Sequence, residues 1–133
     1  MAHFSQQSLI KLRSTHSDLQ RLFLEVVKTF DCTVLCGHRN QTDQNKAFKE
    51  GKSKLQYPMS KHNMYPSAAV DVASYPLNWE DTARFYYFAG YVMRVADEMG
   101  FQIRWGGDWD KDKKMNDQSF NDLVHFELIS KWA

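Results

Sequence analysis

Ser60-Lys-His-Asn-Met-Tyr-Pro-Ser-Ala-Ala-Val-Asp71 is the stretch on which the fold turns, because it runs from a polar loop into a buried strand with a chemically active residue near each end. Ser60, Lys61 and His62 lead into the loop Tyr65, Pro66, Ser67, and Ala69, Val70, Asp71 and Val72 then read as a short buried strand. Asp71 falls inside that apolar run. Burying a carboxylate without a partner is costly, so its position calls for a cation, a metal or several backbone donors.

The second informative run is Asn121, Asp122, Leu123, Val124, His125, Phe126, Glu127, Leu128, Ile129, in which alternation puts His125 in mid-strand and Asp122 three residues earlier. Two imidazoles and one carboxylate with an open fourth position form the ligand set of a catalytic zinc. A further carboxylate nearby can accept a proton from an activated water. Taken singly, each residue has an ordinary reading: His62 as a surface loop histidine, Asp71 as a turn cap, His125 as a satisfied core histidine. The combination gives the metal reading its weight.

Ser60, His62, Ala69 and Asp71, followed by Trp105-Gly-Gly-Asp-Trp109 and then Asp122-x-x-His125-Phe-Glu-Leu128, resemble the peptidase M15 family of zinc peptidases, and among them phage endolysins that cleave the L-alanyl-D-glutamate bond of peptidoglycan. The similarity runs from about Phe30 to Ile129. It implies zinc held by His62, Asp71 and His125, with Asp122 as the catalytic carboxylate. Arg39, in Gly37-His38-Arg39, matches an arginine that lies near the substrate in the family, and Arg39 with Ser60 would hold an oxyanion or a substrate carboxylate. Glu127 shares a strand face with His125 and would orient that ligand, or stand in for Asp122 as the base. The implied fold is α+β, a small mostly antiparallel sheet with helices on one side and the zinc site at its open face. Within the same family, a D-Ala-D-Ala carboxypeptidase or dipeptidase, or a zinc-containing wall-binding module without turnover, are the alternatives.

Composition narrows the classes. The 133 residues make one domain, expected to be the zinc peptidase catalytic domain over 1–133 with no separate wall-binding module. With 17 basic and 16 acidic residues the net charge is +1, which gives no electrostatic reason to expect nucleic acid or an anionic membrane as partner. The N-terminus shows neither an apolar signal core nor a cleavage site, so synthesis in a host cytoplasm without a signal peptide is expected. The resemblance then implies a monomer acting on the periplasmic wall after a holin-type protein has opened the way. Cys32 and Cys36 lie four apart in one strand, about 13 Å, beyond disulfide reach, and are expected as reduced core residues.

Around these runs the pattern predicts helices over 5–13 and 17–30, the second capped by Ser17, and a central strand over 33–36. His16 reads as a solvated turn residue. A short helix begins at Thr42-Asp43-Gln44 and ends at Gly51, and a long one spans 79–99 between Asn78 as cap and Gly100 as stop, with Phe85, Phe88, Val95 and Met99 on a core stripe. A strand over 101–105 and a turn at Gly106-Gly107 follow. Asp108, Asp110 and Asp112 alternate like the start of a calcium loop, yet Lys113 stands where an EF-hand needs glycine and Ser119 where it needs glutamate. The EF-hand reading fails; the family resemblance leaves calcium binding by the three aspartates open beside a plain charged loop.

Overall fold

The structure, a computed structural model, describes residues 2–114 and 121–129; the expectation placed on Ser119 lies outside them. Helices α1 (Gln6–Arg13) and α2 (Ser17–Thr29) precede strand β1 (Cys32–Cys36) and helix α3 (Gln41–Lys49). A single 3-10 turn, Lys61–Asn63, leads to strand β2 (Ala69–Ser74); helix α4 (Thr82–Met99) and strands β3 (Ile103–Gly106) and β4 (Asp122–Leu128) complete the order. The four strands form one antiparallel sheet in the order β1-β2-β4-β3. This is the α+β architecture read from the sequence.

Period-2 alternation divides the sheet. Val70 and Val72 of β2 and Phe126 and Leu128 of β4 join the main core with Leu19, Leu22, Phe23 and Val26 of α2 and Phe88 and Val92 of α4. The ring of Phe126 meets Phe23 edge-on at 5.5 Å and Phe88 at 6.3 Å. Asp71, His125 and Glu127 fall on the opposite face, where they line the pockets of the candidate site.

Four details depart from the sequence reading. The strand 32–36 is an edge rather than a central strand; Ser8 of α1 covers it, its Oγ accepting the Val34 N–H at 3.0 Å, so an apolar edge is not left bare. The cap of α2 is His16, whose Nδ1 accepts the Asp18 N–H at 3.0 Å, and Ser17 is already helical. Helix α4 begins at Thr82 under Asp81, because Asn78 closes a turn of its own by accepting the Glu80 N–H. Gly100 stops that helix in a left-handed conformation, φ +80°. Cys32 is buried, its thiol pushed up to about 12 chiefly by that burial, whereas Cys36 leaves the core. An irregularity between Val34 and Cys36 sets Cys36 opposite Asp71 on the open face, so it is a site neighbour and not a core residue.

Candidate active site

Strand pairing puts Cys36, Asp71 and His125 in one row across β1, β2 and β4, with Asp71 directly opposite both of the others. His62 arrives from the 3-10 turn. Ser60 caps that turn, its Oγ accepting the His62 N–H at 3.1 Å while the Asn63 side chain accepts the Ser60 N–H. Ser60 lines the same pocket as the histidines, with its hydroxyl engaged in holding His62 in place.

The two imidazoles are anchored by their outer nitrogens. His62 Nδ1 donates to the Gly37 carbonyl at 2.7 Å and His125 Nε2 donates to Glu127 Oε1 at 2.8 Å, which leaves His62 Nε2 and His125 Nδ1 turned inward, 3.1 Å and 3.3 Å from Asp71 Oδ1. Asp122 Oδ2 lies 3.9 Å from His125 Nδ1. Two groups of potential ligand atoms, Cys36/His62/Asp71 and Asp71/Asp122/His125, each fall within 4.8 Å, and Asp71 belongs to both. A donor set of two oriented imidazole nitrogens and a shared carboxylate fits a divalent transition metal. Cys36 is the member that sequence reasoning missed; the strand irregularity that exposes it leaves no mark in the alternation.

Charge is strongly organised here. Burial opposes a charge on His62, but the Asp71 carboxylate outweighs it and raises the imidazole to about 10. Asp71 is held well below the usual carboxylate range, the His62 charge and the hydrogen bonds from both imidazoles overcoming burial. Asp122 moves the other way, up to about 6, through burial and then repulsion from Asp71. Glu127 is lowered to about 2 against burial by His125 and by Arg104, whose Nε and Nη2 donate to Oε2 at 3.1 and 2.6 Å; Lys61 Nζ stands 3.4 Å away. Cys36 is also lowered, the His62 hydrogen bond and charge outweighing burial.

Arg39 sits between these groups and helix α3. Its Nη2 is 3.6 Å from Asp71 Oδ2, and its Nη1 donates to the buried Gln44 Oε1 at 2.9 Å. The Gln44 amide in turn donates to Leu55 O and Ser53 Oγ, and Asn63 binds the Arg39 carbonyl. Gln44, Asn63, Lys61 and Arg104 are thus positioning residues that the sequence did not single out. A polar residue on a polar helix gives no sign that it is buried.

The structure brings His62, Asp71, His125, Asp122, Arg39, Ser60 and Glu127 into one region, while Asp108, Asp110 and Asp112 form a separate acidic group whose carboxylates lie within 4.8 Å of one another. His38 packs edge-on to Tyr65, with ring centroids 5.2 Å apart.

A family model described as phage L-alanyl-D-glutamate peptidase matches residues 1–129. The chain belongs to that family. Its fold is similar to the crystal structure of the Serratia marcescens L-Ala D-Glu endopeptidase ChiX, with a TM-score of 0.74 and 26% identity over 96% of this chain and 91% of that one. A search of curated proteins gave no match. Family membership makes this chain an L-alanyl-D-glutamate peptidase, a peptidoglycan hydrolase with a candidate metal-binding group at its centre. Among the described residues no helix is long and apolar enough to cross a membrane.

Proposed function

We propose that this family member is a zinc-dependent endopeptidase in which His62 Nε2, Asp71 and His125 Nδ1 hold the metal and Asp122 is the general base. The observation that carries this reading is the anchoring of both imidazoles by their outer nitrogens, so that the inner ones face a single carboxylate oxygen. Zinc, when bound, supplies Lewis-acid polarisation of the scissile carbonyl and acidifies a water beside it. Asp122, with its carboxyl raised to about 6, accepts the proton of the attacking water and returns it to the leaving amine. Glu127 is poorly suited to that task, because one oxygen accepts from His125 and the other from Arg104, and its acidity is increased. Arg39, fixed by Gln44, directs a guanidinium edge toward the site and would stabilise the oxyanion or the D-glutamate α-carboxylate.

Pockets on both sides of Arg39 and Asp122 favour an endopeptidase over a carboxypeptidase trimming terminal D-alanine. On this reading the chain acts as a monomer on the wall and depends on a holin-type protein for access from the host cytoplasm. Digestion of purified peptidoglycan, with mass spectrometry of the fragments, should expose new D-glutamate amino termini. Release of free D-alanine without them would replace the endopeptidase with the carboxypeptidase. Full zinc occupancy in His125→Ala would overturn the ligand assignment.

A further inference from the structure

The two pockets that meet at the site differ in chemistry. The first, about 410 Å³, carries five cationic side chains, Arg39, Lys52, Lys54, Lys61 and Arg104, against the acidic Asp122 and Glu127; Leu55, Met59 and Trp109 complete its wall, the Trp109 ring lying against His125 with centroids 5.3 Å apart. The second, about 570 Å³, balances Arg39 and Lys52 against Asp71 and Asp122, and much of its remaining wall is apolar: Leu35, Trp79, Phe85, Leu123 and Val124. His62 and His125 open on the first pocket, Asp71 on the second, and Arg39 and Asp122 on both. A chain bound across the reacting atoms therefore has one half in a cationic environment and the other in a charge-balanced one.

Trp79 gives the second pocket a flat surface. Its ring is stacked on Phe85, with centroids 5.4 Å apart and 18° between the planes, and Phe85 is buried while Trp79 remains 61% exposed. An indole supported from beneath by a core ring is rigid and already ordered, so little conformational freedom is lost when a ligand covers it.

The two halves of the substrate are unlike in the same way. On the amino side of the L-alanyl-D-glutamate bond, L-alanine is amide-linked to the lactyl group of N-acetylmuramic acid, an uncharged sugar whose pyranose ring has an apolar C–H face. On the carboxyl side lie the D-glutamate α-carboxylate and the carboxylates of the residues beyond. Resting on the L-alanyl-D-glutamate reading for the orientation of the peptide, we propose that the second pocket is a muramyl subsite, in which the sugar lies against Trp79, and that the cationic first pocket takes the D-glutamate half.

The test uses the full chain loaded with zinc and two readouts. In a spectrum of nitrogen-labelled protein, with the Trp79 indole signal assigned by its loss in Trp79→Phe, N-acetylmuramyl-L-alanine should shift that signal saturably and N-acetyl-L-alanine should not. No shift at millimolar probe, or equal shifts by both probes, overturns the subsite. In kinetics, Trp79→Ala should lower kcat/KM for an N-acetylmuramyl tetrapeptide about tenfold relative to the N-acetyl tetrapeptide lacking the sugar, and Trp79→Phe should restore most of that ratio. An equal fall on both substrates marks a structural role and overturns the proposal. Fragment masses decide separately which bond is cut; if it proves to be another, the indole response to the muramyl probe still decides whether this pocket takes the sugar.

Discussion

Asp122 and Glu127 are carboxylates on one strand whose surroundings drive them apart, one raised to about 6 and the other lowered to about 2. Asp122→Ala should keep zinc and fold normally yet lose about two to four orders of magnitude in turnover, the usual contribution of a positioned base. Glu127→Gln should act through the metal instead, weakening zinc affinity about 10- to 100-fold because the His125 Nε2–H loses its ionised acceptor, with much of the activity regained in excess zinc. Chelator competition and turnover measured side by side separate the two; an inactive Glu127→Gln with normal zinc affinity and a near-normal Asp122→Ala would exchange the roles. The same geometry sets a pH dependence. A proton and a metal compete for His62 Nε2, and with the imidazole raised to about 10 the proton is present throughout the neutral range. Zinc affinity should therefore rise with pH between 5 and 8, by about tenfold per unit for each proton displaced. Calorimetry in buffers of different ionisation heat counts those protons, and finding none released would contradict the assignment of His62.

At the scale of the element, the proposed ligands stand out in the sequence where polarity interrupts an apolar run, as at Asp71 and His125, and the residues that aim them do not. The reason is that alternation assumes continuous pairing. By alternation Asp122 falls on the face of Val124 and Phe126, yet it reaches His125 because the β3 to β4 register shifts between Trp105 and Gly106, opposite Asp122. Gly106 shows how close that approach is: a Cβ there would lie 2.1 Å from the Asp122 carbonyl oxygen and 3.0 Å from its Cβ. A glycine at a strand end is the one sequence signal that could have announced the irregularity. Gly106→Ala must move the start of β4, so it should reduce turnover by at least about tenfold while His62, Asp71 and His125 still bind zinc, because a displaced base loses its geometry before the ligands do. Zinc content and turnover of the purified variant check this, and wild-type turnover would show that the base tolerates the shift. Helix caps were misplaced for a similar local reason, since the sequence could not show that His16 and Asp81 would take the cap positions from Ser17 and Asn78.

In the whole molecule, the sheet and the helices that cover it were readable from hydrophobic periodicity, but the ties between the N-terminal helices and the site were not. The α1 to α2 turn is pinned to the site loop by His16 N–H to Ser67 O at 2.8 Å and Ser67 N–H to Ser14 O at 2.9 Å, and Gly37, whose carbonyl holds His62, lies against the end of α1 so closely that a Cβ would meet Lys11 O at 2.2 Å. The proposed ligands thus come from a turn and two strands whose relative placement depends on the whole fold. A metal that binds only this arrangement stabilises it by mass action, about 4 kcal/mol when free metal exceeds Kd about 1,000-fold. For a chain of this length that corresponds to roughly 10–20 °C in Tm. The chelated protein should nevertheless stay folded and unfold cooperatively, because protons on the imidazoles can satisfy Asp71 at the observed 3.1 and 3.3 Å. Thermal unfolding with and without chelator tests both statements, with His125→Ala as the control that has already lost a ligand. The wild type should fall by the full amount and the variant by far less; equal falls in the two, or an unchanged wild-type Tm at saturating chelator, would mean that the metal is not bound by this cluster.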